Sequence, residues 1–372
     1  MDIAVFGGAF DPFHLEHKKI IQACKDELKV DKVIVVPSYS PPHKSSPLSD
    51  FDDRLAMVKA GTKDMDFVII DTIERTRNTK NPTSVVLPIL KEKYKSDKFY
   101  FVIGGDSMVH FHTWIKPEII AKCATLAVIK REGYSDQIEA IERAKKDYDA
   151  NIVLLNATGE EVSSSIIKAT IELDLVPQNI DNDIYSIIKE RQMYNKFSDI
   201  VLRLKNSIPK ETFNHSVSTT LFGMKYVTIL KLSYEKVFLA CLLHDCAKHI
   251  KKEIDGVPMA VSHQYLGAEY AEKEYGINDR EVLDAIKCHT SGKPNMSNLE
   301  KLVYVADMLE PNRKYDGVER LRIELEKDFE QGFYLCIESA MSKLLKEKNP
   351  IYPLTNRCLK YYTRNRKKII NS

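Results

Sequence analysis

Gly7-Gly8-Ala9-Phe10-Asp11-Pro12-Phe13-His14-Leu15-Glu16-His17 brings together two glycines and two imidazoles three positions apart. Glycine lets a backbone turn tightly and come close to a ligand. A helix starting just afterwards offers unpaired N–H groups and the positive end of its dipole, which suits phosphate. His14 and His17 fall on one side of its first turn and add two donors. This spacing matches neither a Walker A loop nor a GxGxxG fingerprint. A second phosphate-type feature is Ser163-Ser164-Ser165 before a helical stretch, with Lys168 one turn further in. Serines in that place are commonly plain helix caps. A third constellation is a histidine series, His215, His244, His249, His263 and His289, with Asp245 and Asp307. A lone core histidine is usually satisfied by a backbone carbonyl. A whole series set among apolar residues, where unpaired polar groups are costly, points instead to a metal site built inside a helical bundle.

The elements that must position these groups follow two grammars. Short apolar runs at residues 3–6, 32–36, 67–71, 99–103, 125–129 and 151–155 read as strands buried on both faces. Helical stretches such as 18–28, 52–62 and 84–94 separate them. On the first of these, Ile20, Ile21, Cys24 and Leu28 form one apolar face. Strands alternating with helices predict a parallel sheet with right-handed crossovers, whose ligands bind beyond the carboxyl ends of the strands. After Tyr194 the strand pattern stops, and 211–232, 234–250, 263–275, 279–289, 298–309 and 318–345 read as helices. The expected architecture is an α/β Rossmann-like domain over residues 1–195 followed by an all-α domain over 196–372.

Composition narrows the class. A chain of 372 residues suits two domains, and 44% hydrophobic with 29% charged residues is ordinary for a soluble globular protein. A net charge of +2 gives no ground for a nucleic-acid partner. No signal-peptide pattern or membrane-length apolar run is present, so no membrane partner is expected. Seven cysteines without a Cys-x-x-Cys read as reduced thiols of a cytoplasmic protein. Cys241, Cys246 and Cys288, which flank the histidines, read as buried small apolar residues. The basic tail reads as a solvated helix face.

The opening motif and the triple serine together resemble the HxGH and ISSSxIR nucleotidyltransferase superfamily, and within it the bacterial nicotinate-mononucleotide adenylyltransferases (the NadD family). Pro41-Pro42-His43-Lys44, the Arg54/Met57 pair, Gly104-Gly105-Asp106-Ser107 and the single tryptophan, Trp114, carry the same resemblance. It implies transfer of the adenylyl group of ATP to nicotinate mononucleotide, with release of pyrophosphate and with Mg²⁺ bridging phosphate oxygens. It implies that His14 and His17 donate to the triphosphate, while Ser164, Ser165 and Lys168 hold its outer end. Lys44 would add charge, Asp106 would accept from a ribose hydroxyl, and Trp114 would face the pyridine ring. Gly7, Gly8, Phe10, Gly104 and Ser163 complete the implied nucleotide site. Three positions depart from the family: Glu16 replaces a glycine, Lys168 an arginine, and Asn81-Pro82-Thr83-Ser84 a Tyr-Thr pair. Lysine keeps the charge but loses the bidentate fork.

The second half resembles the HD-domain superfamily, specifically the YqeK-type proteins. The matching residues are Asn214-His215-Ser216, Leu242-Leu243-His244-Asp245-Cys246-Ala247-Lys248, His263 before Gly267-Ala268, Ala285-Ile286-Lys287-Cys288-His289-Thr290, and Tyr304 to Pro311 with Arg313. The resemblance implies an all-α HD-domain bundle with a dinuclear iron site that splits diadenosine tetraphosphate into two ADP. Its implied ligands are His215, His244, Asp245, His263, His289 and Asp307. Asp245 and Lys248 would serve catalysis, and Lys248 and Arg313 would bind polyphosphate. His249 has no counterpart and reads as a surface residue. The whole reads as a bifunctional enzyme acting on small nucleotides, with a homo-oligomer compatible. Another nucleotidyl acceptor, or a nucleotide-sensing role with silent sites, remains an alternative.

Overall fold

The six apolar runs become strands because helices cover both faces of the sheet they form: β1 (Ile3–Gly8), β2 (Lys32–Pro37), β3 (Val68–Ile70), β4 (Phe99–Gly104), β5 (Thr125–Ile129) and β6 (Ile152–Leu155). The computed structural model describes residues 1–39, 48–76, 81–130, 135–156 and 163–370. Every strand pair is parallel, in the order β3-β2-β1-β4-β5-β6. That order reverses between β1 and β4, which is where an open α/β sheet leaves a crevice for a ligand. Ile3 pairs with Phe99 and Phe6 with Val102, so the same register carried two residues further sets Gly8 level with Gly104. Both glycine turns therefore leave the sheet at one edge, side by side.

The helices of this part are α1 (Leu15–Leu28), α2 (Phe51–Gly61), α3 (Ile73–Thr76), α4 (Thr83–Tyr94), α5 (Gly105–Val109), α6 (Pro117–Cys123), α7 (Ser135–Tyr148), α8 (Ser164–Glu172) and α9 (Asn182–Glu190). Ile3, Val5, Ile34, Val36, Phe101, Ile103, Leu126 and Val128 form the core of the sheet. Strand β3 is shorter than the expected 67–71 because Asp71 turns the chain outward. Its Oδ1 accepts from the Ile73 N–H at 2.9 Å, while its Oδ2 takes Lys93 and the Tyr94 hydroxyl at 2.7 Å each.

The remaining chain is helical: α10 (Ser198–Ser207), α11 (Lys210–Met224), α12 (Tyr234–Leu243), α13 (Met259–Tyr275) and α14 (Arg280–Cys288). They are followed by α15 (Asn298–Leu309), α16 (Val318–Lys327), α17 (Phe329–Lys346) and α18 (Pro353–Ile370). Leu242, Leu243, Val282, Ile286, Leu302, Val303 and Val305 fill its core. The stretch read as one helix over 318–345 is two. Asp328 adopts an extended conformation (φ −152°, ψ 113°) and its carboxylate caps the next helix by accepting from Gln331 N–H at 2.8 Å. The apolar spacing of Leu321, Leu325 and Phe329 runs straight across that break.

The chain divides into two compact units, Met1–Ile167 with Pro177–Met193, and Lys168–Val176 with Tyr194–Ser372. The division thus falls first inside α8, and not at a single cut between residues 195 and 196. The buried Glu172 carboxylate accepts from the Phe197 backbone N–H. The Lys168 ammonium lies 5.3 Å from the Tyr234 ring centre and 5.9 Å from that of Tyr194. These contacts tie the second half of α8 to the helical unit. Among the described residues no helix is long and apolar enough to cross a membrane.

Candidate functional site

In the first unit the imidazoles are held from below. A Cβ on Gly8 would come within 2.9 Å of the Phe10 ring, so only glycine lets that ring fold back over the strand end. Phe10 itself takes φ +50°, the left-handed region. Its side chain is buried (1% exposed) and stands edge-on to His17, with ring centres 5.0 Å apart. Phe13 and Phe6 complete the support, at 5.3 and 6.0 Å from His17. The side chain of Phe10 therefore braces the imidazole, and only its backbone is left to meet a nucleotide.

His14 caps α1, and its backbone N–H donates to His17 Nδ1 at 3.2 Å. Because Nδ1 accepts, neutral His17 carries its proton on Nε2 and offers a donor there. The His14 ring stacks on His17 with centres 3.7 Å apart. Glu16, on the same first turn, has Oε2 4.0 Å from the Lys19 ammonium. On the neighbouring strand Gly104 caps α5, whose first turn carries Gly105 and half-buried Asp106. Half-buried Trp114 packs against Phe111 and Phe101, at 5.7 and 6.2 Å between ring centres.

Topology thus brings Gly7, Gly8, His14 and His17 to one sheet edge with Gly104 and Asp106. Ser163 accepts from the Ile166 N–H at 3.2 Å and acts as a cap, while Ser164 and Ser165 begin α8 half-buried. Lys168 lies against the two tyrosine rings of the helical unit. Lys44 and the rest of the Pro41–Lys44 motif lie outside the described residues.

In the second unit, five helices deliver the histidine series. His215 lies on α11 and His263 on α13, Asp307 lies on α15, and His244 and His289 are the C-cap residues of α12 and α14. The two capping histidines are built alike. Nδ1 of His244 donates to the Cys241 carbonyl at 2.7 Å, and Nδ1 of His289 to the Ile286 carbonyl at 2.8 Å. Each bond satisfies a carbonyl left open at a helix end, and each turns the Nε2 lone pair inward. The negative ends of both helix dipoles also favour a cation at this point. Gly267 on α13 sits against this turn, where a Cβ would meet the His244 carbonyl oxygen at 3.2 Å.

The inward nitrogens meet in pairs. Nε2 of His215 and His244 are 3.1 Å apart, and Nε2 of His263 and His289 are 3.2 Å apart. His215 Nδ1 faces the Glu310 carboxylate at 3.2 Å, so its Nε2 is also a lone pair when the ring is neutral. Two lone pairs at that distance repel unless a metal ion or a proton lies between them. The fully buried Asp245 carboxylate spans both pairs. Its Oδ2 is 3.8 and 3.5 Å from Nε2 of His215 and His244, and its Oδ1 is 3.6 and 3.4 Å from Nε2 of His263 and His289. Among the described residues Oδ1 has no hydrogen-bond partner, an expensive condition for a buried carboxylate oxygen.

Two donor groups able to hold a metal ion result. One is His215, His244, Asp245 and Asp307, the other is Asp245, His263 and His289, and within each the ligand atoms lie within 4.8 Å of one another. An orphaned carboxylate oxygen and opposed imidazole lone pairs fit a divalent cation, and mixed nitrogen and oxygen donors suit iron, manganese or similar ions.

The ionisable groups of the cluster balance one another's charge. Burial opposes ionisation of Asp245, but the His244 and His289 imidazoles outweigh it and hold the carboxyl well below its usual range. Burial likewise works against a charged His244, and Asp245 reverses the balance and raises its pKa. His263, with burial and His289 both acting against its charge, is pushed down to about 4. Two cations stand at the rim. Lys248 Nζ is 2.5 Å from Asp245 Oδ2, and Arg313 Nη2 is 2.5 Å from Asp307 Oδ1 and 3.1 Å from His215 Nε2.

The six expected ligands, Lys248 and Arg313 are therefore together, and His249 is exposed. Cys241, Cys246 and Cys288 are buried free thiols, with burial pushing Cys246 up to about 12. Sequence reasoning missed the groups that aim the ligands. Glu310 sits behind His215, while Thr290 Oγ1 lies 2.9 Å from the inward Nε2 of His263 and shares its lone pair. Buried Gln264 accepts from the Thr290 and Ser291 N–H groups at 3.2 and 3.0 Å. The available signal was Glu310 standing three residues after Asp307.

Residues 5–170 match the cytidylyltransferase-like family and residues 212–312 the HD domain family. A Mycoplasma genitalium protein named "Probable nicotinate-nucleotide adenylyltransferase/Ap4A hydrolase" is 26% identical over 363 residues, covering 93% of this chain and 99% of its own. The "Probable nicotinate-nucleotide adenylyltransferase" of Aliarcobacter butzleri is 31% identical over 193 residues, covering 52% of this chain and all of its own. The "Bis(5'-nucleosyl)-tetraphosphatase, symmetrical" of Bacillus subtilis is 32% identical over 167 residues, covering 41% of this chain and 89% of its own.

Proposed function

We propose, for a chain that belongs to the nicotinate-nucleotide adenylyltransferases through its first half and to the symmetrical bis(5'-nucleosyl)-tetraphosphatases through its second, that both activities reside in one bifunctional enzyme. Residues 1–195 join the α-phosphorus of ATP to a phosphate oxygen of nicotinate mononucleotide, and pyrophosphate leaves. Residues 196–372 cleave diadenosine tetraphosphate at its central bridge, water adding to one inner phosphorus while ADP leaves. Reduced buried thiols suit a cytoplasmic setting.

For transfer, the chain's task is to align two phosphates and neutralise charge, and alignment alone supplies roughly 7–11 kcal/mol of the barrier. The His17 Nε2–H and the start of α1 offer donors where charge gathers on the triphosphate, and Mg²⁺ would accompany it. Asp106 accepts from ribose and Trp114 presents a flat face to the pyridine ring. Ser164 and Ser165 flank the outer phosphates. The observation carrying this half is the His14–His17 pair, with its fixed tautomer, at the switch point of the sheet.

For hydrolysis, the carrying observation is Asp245, one oxygen toward each imidazole pair. Its geometry supports two metal ions; the mixed donor set suits iron, manganese or similar ions, and the likeness to the HD-domain proteins selects iron among them. Bound there, such ions would supply Lewis-acid charge to the attacked phosphate. Glu310 and the Cys241 and Ile286 carbonyls hold the imidazoles in place. Lys248 and Arg313, at the rim, receive the anionic polyphosphate.

The test uses the full chain. Incubation with ATP and nicotinate mononucleotide should release pyrophosphate, and a panel of other phosphate acceptors should not. Diadenosine tetraphosphate should yield ADP as the sole nucleotide, whereas ATP plus AMP would contradict central cleavage.

A further inference from the structure

One buried cation takes no part in the chemistry assigned so far. Arg54, on α2, is 1% exposed. Its Nη1 donates to the Ala9 carbonyl at 2.7 Å and its Nε to the Ser49 carbonyl at 3.0 Å. Its guanidinium carbon lies 5.3 Å from the centre of the Phe51 ring. Ala9 stands between Gly8 and Phe10, in the turn that leads from β1 to His14. Ser49 immediately precedes the Asp50 cap of α2.

From this geometry we propose that Arg54 is a positioning residue of the adenylyl-transfer site, locking the turn after β1 in the form that receives the triphosphate. The inference rests on the transfer reading above. A trans peptide carries its carbonyl and the following N–H on opposite sides. With the Ala9 carbonyl drawn to Arg54, the Phe10 N–H points away from Arg54. The same bond stabilises the positive φ of Phe10, and through it the ring that braces His17. A buried guanidinium is costly to desolvate, and its charge-assisted bonds to carbonyls offset part of that cost. Two carbonyls from separate segments call for the arginine fork, because a lysine ammonium is a single point charge. The guanidinium also sets a full positive charge directly beside the backbone of a phosphate-binding turn.

The proposal is tested on full-length Arg54→Ala and Arg54→Lys proteins. ATP affinity is read by energy transfer from Trp114, the single tryptophan, to a fluorescent mant-ATP probe, and folding by thermal melting. Arg54→Ala should weaken probe binding by about 10- to 100-fold, as expected for losing charge-assisted bonds. Added ethylguanidinium should restore most of that binding. Arg54→Lys should melt like the wild type and yet bind the probe at least several-fold more weakly. Wild-type affinity in a folded Arg54→Lys protein overturns the proposal, and so does an Arg54→Ala loss that ethylguanidinium leaves unchanged. If Arg54→Ala does not fold, the lysine variant decides alone. Failure of the acceptor assignment would show separately, as a wild-type protein that binds mant-ATP and releases no pyrophosphate with nicotinate mononucleotide.

Discussion

Around residues 7–17 the working groups come from one turn and one helix start, whereas around Asp245 they come from five helices spread over residues 215–307. The first site is shaped by strand register and a helix start, with the Phe10 ring and the Arg54 side chain behind them. Sheet register sets its two glycine turns side by side, and a capping bond between neighbouring histidines fixes a tautomer. The second site is positioned by groups standing behind the imidazoles. Carbonyls at two helix ends and the Glu310 carboxylate turn three imidazoles inward. In the first site the two histidines are neighbours in sequence, whereas in the second the candidate ligands meet only when five helices pack together.

The sharpest way to break this contrast is to remove one group from each site and read both activities. Asp245→Ala should lower diadenosine tetraphosphate hydrolysis by on the order of 1,000-fold or more and leave pyrophosphate release near the wild-type rate. His17→Ala should do the reverse, lowering transfer by about 100- to 1,000-fold with hydrolysis unchanged. Equal loss of both activities in a folded protein would dissolve the separation.

A smaller effect probes the supporting bonds. Glu310→Ala should weaken metal binding by about 10- to 100-fold, measured by titration with a chelating dye, because His215 loses the partner of its Nδ1–H. The smallest effect expected is at exposed His249. His249→Ala should shift stability by no more than about 0.5 kcal/mol in thermal melts and leave both activities alone.

The same contrast explains what the sequence revealed. The sheet was legible because each strand is a short apolar run buried on both faces, while its order, which puts the Gly7-Gly8 turn at the switch point, emerged only from the fold. The recurrence of histidines and aspartates among apolar residues pointed to a metal site in the bundle, and the resemblance to the HD-domain proteins supplied the candidate ligands. The break at Asp328 was hidden because apolar spacing continues across it, and a capping carboxylate looks like any surface acid. The bracing of His17 by Phe10 was hidden because it depends on the ring folding back over Gly8, a tertiary event no spacing reports. Lys168 was read with the triphosphate for its place in a motif, while its ammonium lies over Tyr234 and Tyr194. The supports of the imidazoles were invisible for a related reason. Glu310 and the Cys241 and Ile286 carbonyls acquire meaning only once the rings are oriented.

The most direct test of the account is metal stoichiometry of the full chain by elemental analysis, with Asp245→Asn and His263→Ala beside the wild type. A carboxylate shared by two donor sets predicts two ions per chain in the wild type, one after His263→Ala, and loss of both after Asp245→Asn. A wild type that never takes up more than one ion, or an Asp245→Asn protein that keeps two, would contradict it.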